Sequence, residues 1–363
     1  MVVADDPVER QAPSASLSLG PVMAERRKNR SGAASSAALA LAFGAVALWA
    51  TNALVGKTLL ASHPVSEVQF LQFCGAALVF AVIRLMSTSP SPLEGEGGSA
   101  RSAETDEGCS SEVRRRRSLE HPSSDLASRG HLLPQGEKGR SALAAYAVGF
   151  IGLVGTMVLQ YIAFASMPVI EANLVAYTWP LMVAAAVIAL GRPRRPLLLG
   201  LTAALGFVGV ALVISGGRAS AWFEGSLVGY CAAFGSALCM AFYSLAVGRL
   251  ALSPDRLLLP SALIGFALTF AWCLHDGAAD LSGTHLLLGL YLGAGPMGFG
   301  YYFWSRALSL DQGGRLAVVA YLTPIASTLL LALSGESLSP TAIAGAVLVI
   351  GSCIAVGIER SEA

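Results

Sequence analysis

Several polar and aromatic side chains lie inside stretches of sequence that are otherwise apolar. The densest group begins with Glu171 and Asn173 and continues through Tyr177, Trp179 and Pro180. Asn173 and Tyr177 are four residues apart, so a helix would place them on one face. Tyrosine and tryptophan combine stacking surface with a hydrogen-bonding group, and a proline kinks a helix by removing a backbone hydrogen bond. The group fits recognition of a small molecule, with a packing kink flanked by interfacial aromatics as the alternative.

Residues of the same kind lie in other apolar stretches. An amide in such a stretch can bind a substrate or a neighbouring helix, and an aromatic cluster can line a cavity or form an interfacial belt. We predict a substrate-binding set that consists of Asn52, Gln160, Tyr161, Asn173, Tyr177, Trp179, Tyr243, Tyr301, Trp304 and Tyr321. The predicted hinges are Pro180, Pro296 and Pro324.

Two charged residues flank apolar stretches. Glu171 would lie near the positive end of a helix dipole, where it is placed to bind a substrate ammonium group or to carry a coupling proton. The competing interpretation, which the sequence favours, is a water-exposed carboxylate. Lys57 is interpreted as a topological anchor whose ammonium group snorkels to the membrane interface.

Signatures of metal binding and of catalysis are missing from the sequence. The six cysteines are irregularly spaced and the histidines lack metal-ligand spacing. A Walker lysine motif, HExxH and GxSxG are also absent. We therefore expect no metal, no cofactor and no enzymatic activity.

The small number of charged residues indicates which kind of structural element positions these side chains. The 363 residues are 54% hydrophobic and 13% charged, with a formal net charge of +1, whereas soluble domains carry about 25% charged residues. Residues 1–31 and 87–140 hold 26 of the 47 charged side chains. The 21 charged residues in the rest of the chain are too few to form a water-facing surface, which argues against a soluble enzyme. The near-neutral net charge argues against a nucleic-acid partner. The composition predicts an integral membrane protein.

Ten apolar segments are long enough to cross a bilayer, which requires about 20 residues. They run continuously, so we predict an all-α polytopic protein rather than a β-barrel. The predicted spans are 37–57, 67–86, 141–165, 169–190, 197–216, 226–248, 257–274, 284–305, 315–333 and 341–358.

The distribution of basic residues orients these spans. If the N-terminus is cytoplasmic, 22 of the 24 lysines and arginines face the cytoplasm, and only Lys57 and Arg218 face outward. Cytoplasmic loops carry such an excess. We predict a multi-pass protein of the bacterial inner membrane with both termini in the cytoplasm.

The two halves of the chain resemble each other. Ala176-Tyr177-x-x-Pro180 recurs 144 residues later as Ala320-Tyr321-x-x-Pro324. Each half contains five helices, and because five is odd, the second half would enter the membrane from the opposite side. The predicted organisation is a flexible cytoplasmic tail (1–36), a first repeat (37–216) with a disordered cytoplasmic loop (87–140), and a second repeat (226–358).

The predicted chain has ten helices in two halves, and its second half contains Ala320-Tyr321-Leu322-Thr323-Pro324 followed by Gly335-Glu336-x-Leu338 and Gly345. This combination resembles the EamA-type drug/metabolite transporter superfamily. The resemblance covers 37–358 apart from the 87–140 loop. The stretch EANLVAYTWP, from Glu171 to Pro180, resembles the branch that includes bacterial aromatic amino-acid exporters. The first half has Gly191-Arg192 where the second has Gly335-Glu336, which argues against a symmetric acidic pair.

The repeat and the resemblance imply a secondary-active transporter that exports small amphipathic metabolites by alternating access. Amino acids, including aromatic ones, are the expected substrates. The expected partners are this small molecule and the lipid bilayer, and a monomer would suffice. One alternative is an importer or exchanger of metabolites such as nucleotide-linked sugars, which would need cationic residues where Lys57 is the candidate. Another is a non-transporting membrane scaffold or a polar-lipid enzyme.

Overall fold

A computed structural model describes residues 20–88, 143–191, 195–215, 225–250, 253–277, 283–310, 316–333 and 339–361. Within these ranges the chain forms helices joined by short turns. The predicted loop 87–140 and the beginning of the predicted tail fall largely outside the described residues. In chain order the helices are α1 (Gly20–Trp49), α2 (Asn52–Leu60), α3 (Val65–Thr88), α4 (Leu143–Ser166), α5 (Val169–Ala176), α6 (Trp179–Gly191), α7 (Pro196–Ser215), α8 (Leu227–Val247), α9 (Pro254–Asp276), α10 (Gly283–Leu292), α11 (Gly300–Leu310), α12 (Leu316–Val319), α13 (Leu322–Leu333) and α14 (Pro340–Ser361).

Each of the ten predicted spans falls on a helix or on a pair of consecutive helices. Seven helical segments in the described part of the chain are long and apolar enough to cross a membrane. Two more, Leu316–Leu330 and Pro340–Ala355, are apolar but shorter. The remaining span, 284–305, corresponds to α10 and α11, which a π-helix joins at Gly293–Phe299. The prediction of an all-helical membrane protein is therefore confirmed.

Two of the spans break at the repeated Ala-Tyr-x-x-Pro motif. Pro180 has no amide hydrogen for the carbonyl of Ala176, and α5 ends at that alanine. Pro324 likewise has no amide hydrogen for the carbonyl of Ala320, and Ala320 lies one residue beyond the end of α12. The helix is therefore interrupted at the same motif in both halves. The interruption lies at Tyr177 and Thr178 in the first half and at Ala320 and Tyr321 in the second.

The two halves share a second irregularity. The π-helix Phe150–Gly155 lies inside α4, and the π-helix Gly293–Phe299 joins α10 to α11. Their last residues are 144 positions apart, which is the offset of the repeated motif. This correspondence agrees with an internal repeat, while the inverted relation of the halves stays a prediction.

Small residues allow the closest helix contacts. A Cβ atom added to Gly209 of α7 would lie 2.7 Å from the carbonyl oxygen of Gly345 on α14, and one added to Gly345 would lie 2.5 Å from the carbonyl oxygen of Gly209. The backbones touch because neither residue has a side chain, as is common between helices in lipid. A large cluster of buried apolar side chains includes Trp304 and Met297, neither of which has exposed surface.

Candidate substrate cavity

A cavity of about 660 Å³ lies between the helices that carry the predicted site. Its volume falls in the range of about 300–1,000 Å³ that is typical of small-molecule sites. The polar side chains of the wall are Asn52, Lys57, Thr156, Gln160, Asn173, Tyr177, Ser236, Thr323, Ser327, Thr328 and Ser339. The remainder of the wall is apolar or aromatic, so the cavity offers both kinds of contact.

Six residues of the predicted substrate-binding set line this cavity. They are Asn52, Gln160, Asn173, Tyr177, Trp179 and Tyr301. They come from α2, α4, α5, α6 and α11 and from the turn after α5. The structure therefore brings residues that are up to 249 positions apart in the sequence into one wall, although their role in binding is still a prediction.

The other four predicted residues lie behind this wall, each almost completely buried. The hydroxyl of Tyr161 donates to Asn52 Oδ1 over 3.1 Å. Tyr243 and Ser305 share a hydrogen bond of 2.6 Å, and the indole N–H of Trp304 donates to Ser244. Tyr321 packs in a small apolar cluster against α7 and α14. These residues support the wall from outside rather than face the cavity.

The three predicted hinge prolines lie at irregular backbone. Pro180 and Pro324 follow the breaks already described, and Pro324 lines the cavity. Pro296 lies within the π-helix Gly293–Phe299. Each of the three prolines lies within irregular backbone or no more than three residues after it, and movement about them stays a prediction.

Glu171 has a different environment from the water-exposed one that the sequence favours. Its side chain is buried, and the hydroxyl of Tyr230 on α8 donates a hydrogen bond to Glu171 Oε2. As the third residue of α5, it still lies at the positive end of a helix dipole. Glu171 thus joins α5 to α8 beside the cavity, and its neighbours Ile170 and Asn173 line the wall.

Sequence reasoning missed the hydroxyl groups of the wall. Thr156 and Thr323 both line the cavity, and the Oγ1 atom of each is buried. The side chain of Thr156 lies beside the hydroxyl of Tyr301, and that of Thr323 lies beside the hydroxyl of Tyr177. A threonine in an apolar stretch usually bonds to a carbonyl of its own helix, so the sequence alone gives no sign that these two differ.

Lys57 is the one charged side chain among the described residues of the wall. The sequence predicts an interfacial anchor here, and the structure adds that this residue lies at the rim of the cavity. Its side chain is exposed, so its ammonium group can meet an anionic part of a ligand. Among the described residues, no group of three or more His, Cys, Asp or Glu side chains is arranged to hold a metal ion.

The helical fold and the amphipathic cavity between its spans define a class, that of membrane transporters. Residues 227–358 match the EamA-like transporter family. The chain is also 33% identical over 220 residues to the aromatic amino acid exporter YddG of Ancylobacter novellus, across 58% of this chain and 75% of that protein.

This protein belongs to the EamA-like transporter family, which confirms the superfamily resemblance seen in the sequence. A solved crystal structure of another protein has the same fold, with a TM-score of 0.68 and 23% sequence identity. The alignment covers 91% of this chain and 99% of that one.

Proposed function

We propose that this protein is a secondary-active transporter that exports amino acids, aromatic ones among them. The amphipathic cavity carries the proposal. Trp49, Trp179 and Tyr301 give it stacking surface, while amides, hydroxyls and one lysine give it polar contacts. An aromatic amino acid has the same combination of an apolar ring and a compact polar head. The relative named as an aromatic amino acid exporter supports this substrate class.

The charges of the wall favour a zwitterion over a polyanion. Lys57 can pair with a carboxylate. An ammonium group can bind the side-chain oxygens of Gln160 and Asn173, or the carbonyl of Ala176, which Pro180 cannot satisfy. A nucleotide-linked sugar brings a diphosphate, which proteins bind with several cationic or bidentate groups. A single lysine among the described wall residues fits it poorly.

The position of the cavity supports alternating access. Lys57, Ile170, Ile214 and Ser339 line it and lie at helix ends that the charge distribution predicts to be extracellular. Trp179 and Tyr301 line the cavity and also belong to the large apolar cluster, most of whose members lie toward the predicted cytoplasmic ends of their spans. The described state is therefore outward-facing in our proposal. Movement of one half against the other would close this side and open the cytoplasmic side.

Location and assembly complete the proposal. The chain is a multi-pass membrane protein, which we place in the bacterial inner membrane with both termini in the cytoplasm. Its proposed partners are the surrounding lipid bilayer and the small molecule that it transports. Because the two predicted five-helix repeats make one complete unit, we propose that a monomer is sufficient for transport.

Counterflow in proteoliposomes tests the proposal. Vesicles with the purified protein are loaded with one unlabelled amino acid, and entry of the same labelled amino acid is followed over a panel, with and without a pH gradient. We expect counterflow of aromatic amino acids, reduced by Lys57→Met and unchanged by Thr58→Ala, the exposed neighbour outside the cavity wall. Absence of flux for every amino acid would overturn the proposal, and flux of nucleotide-linked sugars would replace it.

A further inference from the structure

A buried row of polar side chains runs from α3 to the cavity wall. Gln69 Nε2 donates a hydrogen bond to Gln72 Oε1. Gln72 Nε2 donates to the hydroxyl of Tyr161 over 3.0 Å, and that hydroxyl donates to Asn52 Oδ1 over 3.1 Å. Gln69, Gln72 and Tyr161 have no exposed surface. Asn52 is the member of the row that lines the cavity.

The row has a direction because the tyrosine hydroxyl carries a single hydrogen. It receives a hydrogen bond from Gln72, so its own hydrogen goes to Asn52 Oδ1. The acceptor of the Asn52 carboxamide is thereby occupied. Its Nδ2 group has no partner among the described residues, and the two N–H donors are the part of this amide left for a ligand.

The packing around Tyr161 holds this arrangement in place. A Cβ atom added to Gly56 would lie 2.7 Å from the hydroxyl oxygen of Tyr161. Gly56 follows Asn52 by one turn of α2, so its missing side chain makes the space through which the phenol reaches Asn52. The ring of Tyr161 also packs against Phe164, with centroids 5.5 Å apart. These contacts fix the hydroxyl beside Asn52.

We infer that Gln69, Gln72 and Tyr161 form a relay that orients Asn52 as a hydrogen-bond donor, so that Asn52 and Lys57 together bind the carboxylate of the substrate. Tyr161 is then a positioning residue that the substrate does not touch. Two donors, one of them charged, match the two oxygens of a carboxylate. The inference rests on the proposed transport of amino acids and identifies which part of the substrate this end of the cavity recognises.

A comparison of two ligands tests the relay. Phenylalanine and phenylalaninamide share the ring and the ammonium group, and only phenylalanine has a carboxylate. Their dissociation constants are measured by calorimetry on the purified protein in detergent, for the wild type and for Tyr161→Phe. Tyr146→Phe, an exposed position on the same helix, is the matched control.

We expect Tyr161→Phe to weaken binding of phenylalanine by about tenfold, because a hydrogen bond to a charged group is lost or misdirected. Binding of phenylalaninamide should change little, and Tyr146→Phe should change neither. Equal losses for both ligands would overturn the inference, since they would indicate a general structural effect or the opposite orientation of Asn52. No loss for either ligand would overturn it as well.

Asn52→Asp gives a second test that does not depend on the folding of Tyr161→Phe. It replaces the donor with an acceptor of nearly the same shape that is charged when ionised, so the preference should shift toward phenylalaninamide. An unchanged preference would overturn the inference. A wild-type protein that binds neither phenylalanine nor any other amino acid would instead overturn the proposed function, which separates the two outcomes.

Discussion

The indole N–H of Trp49 donates a hydrogen bond of 2.9 Å to the carbonyl oxygen of Pro296. Trp49 ends α1 and lines the cavity, whereas Pro296 lies in the π-helix between α10 and α11. Tyr301 forms a similar link, since its hydroxyl donates to the carbonyl of Gly152 in the other π-helix. Both π-helices are therefore bonded to an aromatic side chain of the cavity wall. Such helices occur frequently at functional sites.

Removal of the first link should slow transport. Trp49→Phe keeps an aromatic ring in the wall and removes the donor to Pro296. A typical hydrogen bond contributes about 1 kcal/mol, so we expect the turnover rate in counterflow to fall by roughly threefold to tenfold. The variant should still insert and elute as a single species in size-exclusion chromatography. Trp272→Phe, in α9 and outside the cavity wall, is the control.

An unchanged rate in well-folded Trp49→Phe would show that the bond to Pro296 has no part in transport. The same experiment on Tyr301→Phe tests the second π-helix. Its bond to Gly152 is longer, at 3.3 Å, so a smaller reduction is expected.

Close packing of α7 against α14 should make Gly345 intolerant of a side chain. Its Cβ atom would lie 2.5 Å from the carbonyl oxygen of Gly209 and 2.8 Å from the backbone nitrogen of Val213. Gly345→Val must therefore separate the two helices, and overpacking of this kind costs about 1–3 kcal/mol. Thermal unfolding of the purified protein measures the loss.

Gly351 provides the matched control for this prediction. It lies on the same helix, and a Cβ atom there would meet nothing within 4 Å. Gly351→Val should unfold at nearly the wild-type temperature, since it adds a β-branched residue without a clash. Equal losses for the two variants would mean that helix propensity, and not the α7–α14 contact, determines the effect.

Glu171 should contribute little to substrate affinity. Its carboxylate bonds to Tyr230 and is buried beside the cavity, while Asn173 lines the wall. Glu171→Gln should therefore leave the dissociation constant of phenylalanine within about twofold of the wild type, because a net hydrogen-bond difference away from the ligand changes binding weakly. Asn173→Leu should weaken it clearly. A large loss of affinity in Glu171→Gln, measured by calorimetry, would restore Glu171 as the ammonium site.

The sequence predicted the spans well because their length and apolar composition depend on the bilayer and not on the partners of each helix. It could not predict which side of each helix faces the cavity. Gln160 and Tyr161 are adjacent, so they point about 100° apart on α4, and only Gln160 reaches the cavity. That difference depends on how α4 is rotated against α2 and α3. The position of Lys57 at the rim of the cavity could not be predicted either, because it depends on the interruption between α1, which ends at Trp49, and α2.

A second link between the halves joins two histidines on the face that we predict to be extracellular. His63 Nε2 lies 2.9 Å from His285 Nδ1, which connects the turn after α2 to the start of α10. On its other side, His63 Nδ1 lies 3.0 Å from Oε1 of the buried Glu67. One nitrogen of the histidine pair must donate and the other must accept. Removal of either ring therefore abolishes the bond.

His285→Leu should therefore destabilise the protein, because it removes this bond between the halves. A typical hydrogen bond contributes about 1 kcal/mol, and thermal unfolding of the purified protein measures the loss. His275→Leu is the control, because His275 is exposed and contacts Asp276, not the histidine pair. Equal unfolding temperatures for His285→Leu and the wild type would contradict the prediction, whereas a loss in His285→Leu alone would assign the stabilisation to this pair.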